Sequence, residues 1–140
     1  MNAKQALQQA TLYTDDTPYL MIGLHPRAIT AAAGVLAEVG EPFSTLIVDK
    51  DEVTLIISSD AYQEFEKRLP DARLSEPMRL LTFDLVLPME LTGFMALVSN
   101  LLAEGEIPII PLGAFERDHL LIAEAHFPKA MEILEKAKDA

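Results

Sequence analysis

Apolar and polar positions follow two periods along the chain, and their order defines the elements. A short polar lead-in, Ala3 to Leu12, reads as helical, and "DDTP" breaks it. "YLMIGL", Tyr19 to Leu24, is then an apolar run of strand length. In "HPRAITAAAGVLAEVG" the residues Ile29, Ala32, Ala33 and Leu36 form one helical stripe, with Pro26 early and Gly40 just past the end. "FSTLIVD" and "EVTLIISS" are β-branched runs separated at Lys50 and Asp51, the pattern of a tight hairpin. "DAYQEFEKRL" places Asp60 at a capping position ahead of Ala61, Tyr62, Phe65 and Leu69, so a second helix closes a βαββα unit.

Pro70 and "DARLSEP" make a polar boundary, after which the order repeats. "RLLTFDLVL" is a strand, "ELTGFMALVSNLLAEG" a helix, "IPIIPLG" and "DHLLIAEA" strands, and "FPKAMEILEKAKD" a helix. A shift of 66 superimposes "LAE" at Leu36–Glu38 on "LAE" at Leu102–Glu104, and it pairs Pro42 with Pro108, Leu46 with Leu112, Leu55 with Leu121 and Ile56 with Ile122. Pro26 and Pro88 are only 62 apart, so the second strand-to-helix turn is longer, with its extra residues near "MELTG". The expected organisation is α+β: two tandem split βαβ units with antiparallel sheets, residues 1–72 and 73–140. A unit of that size is marginal alone, so close packing between the halves and a homodimer across the remaining edges are expected.

Charge narrows the partners. Acidic residues number 22 against 11 basic ones, a net charge of −11. Nucleic acid and anionic membrane surfaces, which need clustered Lys and Arg, are excluded. There is no cysteine, so disulfides, thiolate nucleophiles and sulfur-held metals are absent and a reducing compartment fits. With no run of signal-peptide or membrane-span character, a cytoplasmic location is expected.

Catalytic patterns are missing too. Ser44, Thr45, Ser58, Ser59, Thr92 and Ser99 stand in no nucleophile-elbow frame, and no glycine-rich phosphate loop occurs. His119 and His126 flank "LLIAEA" seven residues apart, on opposite faces of a strand. Glu124 and His126 share a face without a third ligand, so these are read as polar strand-end histidines and neither a metal nor a cofactor is expected.

Two features remain. Leu91, Thr92 and Gly93 fall around the first turn of a helix, where unpaired backbone N–H groups attract a carboxylate. There Thr92 caps the helix or bonds a ligand, and Gly93 relieves packing or admits a ligand to the backbone. In "IPIIPLGAFERDH", Pro108 and Pro111 cannot donate ladder bonds, so the strand is an edge or irregular. The prolines either free backbone groups for a ligand or only prevent edge-to-edge pairing.

"LTG" at Leu91–Gly93, "LLAEGEIPIIPLGAFERDHLLIAE" at Leu101–Glu124 and the following "FPKAMEIL" together resemble an ACT domain, of the type found in tandem in small bacterial proteins and in CASTOR-like arginine sensors. Glu106 stands where that family often has a smaller residue, and the first half lacks the LTG turn. The resemblance implies ferredoxin-like βαββαβ modules that bind amino acids at a domain interface and can exchange strands, so that "RLLTFDLVL" contributes to either sheet. It also implies that Leu91, Thr92 and Gly93 meet a ligand carboxylate, that the backbone of Ile110, Pro111, Leu112 and Gly113 meets its amino group, and that Asp118 meets a cationic side chain, as of arginine or lysine.

The expected function is therefore amino-acid binding by a regulatory or sensory protein that is not an enzyme. It would act through its oligomeric state or a protein partner. The alternative is a structural interaction module without a working ligand site.

Overall fold

The computed structural model describes residues 1–140. Its backbone groups Met1–Asp16 with Arg79–Ala140, and Thr17–Met78 by themselves. The division expected at residue 72 thus differs from the observed grouping, chiefly because the lead-in sides with the second half.

The Thr17–Met78 unit runs β2 (Tyr19–Leu24), a 3-10 turn at Pro26–Ala28, α2 (Ile29–Val39), β3 (Thr45–Val48), β4 (Val53–Ser58), α3 (Ser59–Phe65) and β5 (Arg73–Leu74). Its strands lie in the order β3-β4-β2-β5, every pair antiparallel. Leu20, Ile22, Leu24, Leu55 and Ile57 meet Ala28, Ala32 and Val35 in the core. A fully buried leucine or isoleucine contributes about 1.5–3 kcal/mol, so this cluster holds the helix to the sheet.

Three details differ from the sequence reading. The inward stripe of α2 runs through Ala28, Ala32 and Val35, one position away from the expected one, and leaves Ile29 and Ala33 exposed. The cap of α3 is Ser58, whose side chain accepts from the Ala61 N–H at 3.0 Å, and Asp60 sits inside the first turn. The stretch "DARLSEP", read as a boundary, contains β5, which pairs with Ile22 and Gly23 of β2.

The other unit contains α1 (Ala3–Gln9), β1 (Thr11–Tyr13), β6 (Met78–Asp84, of which Met78 is grouped with the first unit), α4 (Phe94–Glu104), β7 (Ile110–Gly113), β8 (Asp118–Ala123), a 3-10 turn at Glu124–His126 and α5 (Phe127–Asp139). Its sheet order is β7-β8-β6-β1. Here β1 occupies the place beside β6 that β5 occupies beside β2, with Leu12 opposite Phe83 and Tyr13 opposite Thr82. Both units are therefore ferredoxin-like and α+β, and this one takes its fourth strand from the lead-in, expected to be helical through Leu12.

Local bonds explain that placement. The N-cap Asn2 and Gln5 bond each other's backbone in a capping box, which starts α1 and sends Ala6, Leu7 and Ala10 into the core with Leu81, Phe94, Val98 and Leu134. Thr14 Oγ1 donates to the Leu80 carbonyl at 2.6 Å, and the Arg79 guanidinium donates to the Asp15 carbonyl at 2.5 Å. No helix is long and apolar enough to cross a membrane.

The repeat survives with a one-residue correction. In each hairpin a four-residue connection closes through the same backbone bond, Asp49 N–H to Glu52 O and Ala114 N–H to Arg117 O. From Asp49 to Ala114 is 65, not 66, so Leu112 pairs with His119 and Leu121 with Ile110, rather than Leu112 with Leu121. Proline-bearing β7 lies at the outer end of its sheet, and Pro111 is opposite Leu120.

Candidate functional site

The connection from β6 to α4 spans residues 85–93, far longer than the turn from β2 to α2, and it forms one wall of a cleft. The tip of the β7–β8 hairpin, residues 114–117, forms the other. The Leu87 N–H donates to the Glu116 carbonyl at 2.7 Å and ties the two together. Between them lies a hollow of about 210 Å³, whose apolar wall includes Leu87, Leu91 and Phe94 and whose polar end holds Arg117 and Asp118.

Two large apolar side chains stand at its rim almost wholly in solvent, Met89 at 78% exposure and Phe115 at 80%. Phe115 sits in the polar tip "AFER", the one signal in the sequence that could have marked it, whereas Met89 lies in the largely apolar "LVLPMELTG" and carries none. Apolar side chains displayed at a cleft mouth suit contact with a ligand or a partner rather than folding.

Arg117 is engaged by Asp84, 2.9 Å from Nε to Oδ1, and by Glu116 at 3.4 Å. Asp118 is left without a hydrogen-bonding side chain. Burial raises its carboxyl above the ordinary carboxylate value, and the neighbouring His119 only partly opposes this. His119 itself is held below its ordinary value by burial, with Asp118 pulling the other way and Arg117 adding to the depression. Its Nδ1 lies 2.8 Å from the hydroxyl of buried Thr82 on β6. The cleft thus presents a partly desolvated carboxylate beside an occupied guanidinium, a setting that favours a cation.

Of the residues singled out from sequence, Leu91 and Asp118 come together in this cleft. Thr92 is exposed and lines a neighbouring hollow with Asn2, Pro88 and Glu90. It does not cap α4. Gly93 is the N-cap, at φ 82°, and provides no side chain for that purpose. Ile110, Pro111, Leu112 and Gly113 form the ladder with β8, Gly113 opposite Asp118, and line neither hollow. The strand reaches the cleft only through the residues that follow it, Ala114 to Arg117.

No curated protein matches the chain in sequence. Among solved structures, a protein of unknown function from Vibrio cholerae superposes with a TM-score of 0.73 at 17% identity, covering 96% of this chain and 94% of that one. An Agrobacterium tumefaciens protein does so with a TM-score of 0.71 at 25% identity, over 91% and 87%. The regulatory subunit of aspartate kinase from Thermus flavus gives a TM-score of 0.71 at 16% identity, over 91% and 97%. The fold is thus shared with these proteins along most of the chain, and residues 73–136, which hold the cleft, match the ACT domain family model.

Proposed function

We propose that this protein binds a free amino acid and works as a regulatory or sensory protein rather than as an enzyme. The observation that carries the reading is the Asp118 carboxylate, partly buried and unpaired at the end of a cleft in the ACT-like region. Asp118 receives the cationic group of the ligand, with arginine and lysine the best candidates, as in CASTOR-like sensors. Leu91, Thr92 and Gly93 lie on the side where the ligand carboxylate would meet backbone N–H groups at the start of α4. The strand Ile110–Gly113, which lines neither hollow, contributes by carrying the hairpin tip, Ala114 to Arg117, to the cleft. Ligand binding would act through a homodimer or a protein partner, in the cytoplasm, with no cofactor or metal.

Thermal melting against each common amino acid at millimolar concentration tests this. A ligand at a hundred times its dissociation constant adds about 2.7 kcal/mol, enough to raise the midpoint by several degrees. A saturable shift with one amino acid, lost in Asp118→Asn, supports the site. A flat panel on protein freed of carried-over ligand sinks it.

A second reading rests on Met89 and Phe115, whose exposure also suits a protein interface. A retained protein partner released by Phe115→Ser, with no response to any amino acid, would favour an interaction module.

A further inference from the structure

The Asp118 cleft has a neighbour in the same unit. A hollow of about 390 Å³, which includes Met1, Glu90 and Thr92 in its lining, shares Pro88 and Leu91 with the cleft, so the two adjoin along the connection from β6 to α4. Met89 and Phe115 are the most exposed large apolar side chains of the chain, and Met1, itself 52% exposed, lies on the second hollow. Folding leaves this apolar surface uncovered.

Charge frames it in one sense. Residues 84–93 and 114–118 carry four carboxylates, Asp84, Glu90, Glu116 and Asp118, against one cationic side chain, Arg117. That guanidinium is already engaged by Asp84 at 2.9 Å and by Glu116 at 3.4 Å. The lysines of this unit lie elsewhere, Lys4 on α1 and Lys129, Lys136 and Lys138 on α5.

The backbone of the two loops is largely spoken for. The Leu87 N–H donates to the Glu116 carbonyl at 2.7 Å, the Leu91 N–H to the Pro88 carbonyl at 3.0 Å, and the Ala114 N–H to the Arg117 carbonyl at 2.9 Å. An incoming strand would need a row of unpaired N–H and C=O groups, so a partner here must be gripped through side chains.

We infer that this surface docks a basic amphipathic helix of another protein. The apolar stripe of the helix lies on Met89, Leu91 and Phe115, and its Lys or Arg residues meet Glu90 and Glu116. Met89 and Phe115 suit the role, because a thioether chain adapts to the partner's shape and an aromatic ring supplies a large apolar area. An acidic segment or an anionic lipid surface would be repelled by the same carboxylates. A second copy of this chain, with its net charge of −11, is disfavoured in the same way. The inference rests on the partner-dependent action proposed above and makes no use of the amino-acid ligand.

The test titrates the full chain into a fluorescently labelled synthetic peptide of about 14 residues, with leucine and lysine at helical spacing, followed by anisotropy. Two counterpart peptides carry glutamate in place of lysine or serine in place of leucine. The leucine–lysine peptide should bind saturably, and its affinity should fall at least about tenfold in either counterpart and in Met89→Ser or Phe115→Ser. Both side chains stand outside the core, so the melting midpoints of these variants should match the parent. The double variant Glu90→Gln, Glu116→Gln should bind more weakly and lose part of the salt dependence. Val48→Ser, which removes an exposed apolar side chain on β3, should bind as the parent does. No binding, equal binding of either counterpart, unchanged affinity in Met89→Ser and Phe115→Ser, or an equal loss in Val48→Ser would overturn the inference. No free amino acid is present, so failure here leaves the amino-acid reading to the melting panel, and a flat panel leaves this result in place.

Discussion

Arg117 and Asp84 are joined from the β8 end of the hairpin to the last residue of β6, Nε to Oδ1 at 2.9 Å, and this contact keeps the guanidinium occupied next to Asp118. Both side chains are substantially exposed, so the pair contributes little stability. Its effect lies in charge placement. Asp84→Asn should barely move the melting midpoint, yet it frees Arg117 to compete for Asp118 and weakens binding of arginine or lysine. Parallel melting and calorimetric titration check this, and undiminished affinity in Asp84→Asn would show that Arg117 does not compete.

Asp118 sets the pH dependence of the cleft. A carboxyl whose folded value is raised favours the native state below its unfolded value, and that contribution is lost as pH rises through the folded value. Ligand-free Asp118→Asn should therefore melt no lower than the parent at pH 7. A cationic ligand requires the ionised form. Its affinity should fall on acidification, starting at a higher pH than for an ordinary aspartate, and this slope should vanish in Asp118→Asn.

His119 titrates with the opposite sign. Burial lowers its folded value, so its contribution is present above the unfolded value of about 6.5 and is lost as pH falls through the folded one. Melting between pH 7 and 5 should decline less steeply in His119→Gln than in the parent. Thr82→Val, which removes the hydroxyl facing Nδ1 at nearly constant volume, should cost about 1 kcal/mol at pH 7 in urea unfolding.

At Gly93 space is not the constraint, because an added Cβ would come no closer than 4.0 Å to Ala3. The backbone is, since φ 82° is disfavoured for side chains other than glycine. Gly93→Ala should destabilise by about 1 kcal/mol through conformation alone. A loss of several kcal/mol would mean that the loop ahead of α4 had moved.

The two αββα runs are legible in the sequence because their apolar stretches are long and end at Gly40, Pro70 and Gly105, which the chain uses as stops. The edge character of "IPIIPLG" is legible for the same kind of reason, since proline cannot donate to a ladder. β1 and β5 are not, because three and two residues carry no usable period and their pairing depends on partners distant in sequence. The repeat misleads by one residue because "LAE" matches the helices at 66 while the hairpins correspond at 65. Of the residues to which the resemblance pointed, Leu91 and Asp118 both line the cleft. Met89, Phe115 and the Asp84–Arg117 contact escaped, because they depend on how two loops with no regular period lie against each other.

The place of β1 gives the chain a nested architecture. Thr17–Met78 draws all its strands from one unbroken stretch, whereas the surrounding unit must bring Thr14 to Leu80 across 66 residues and Gln8 to Ala140 across 132. Long loops lose entropy before their contacts form, so the unbroken Thr17–Met78 unit is expected to fold first and the unit assembled from the two chain ends after it. Pulse-labelled exchange should then protect the amides of β2 and β4 before those of β6 and β8, and β1 should be the last strand to arrive and the first to leave.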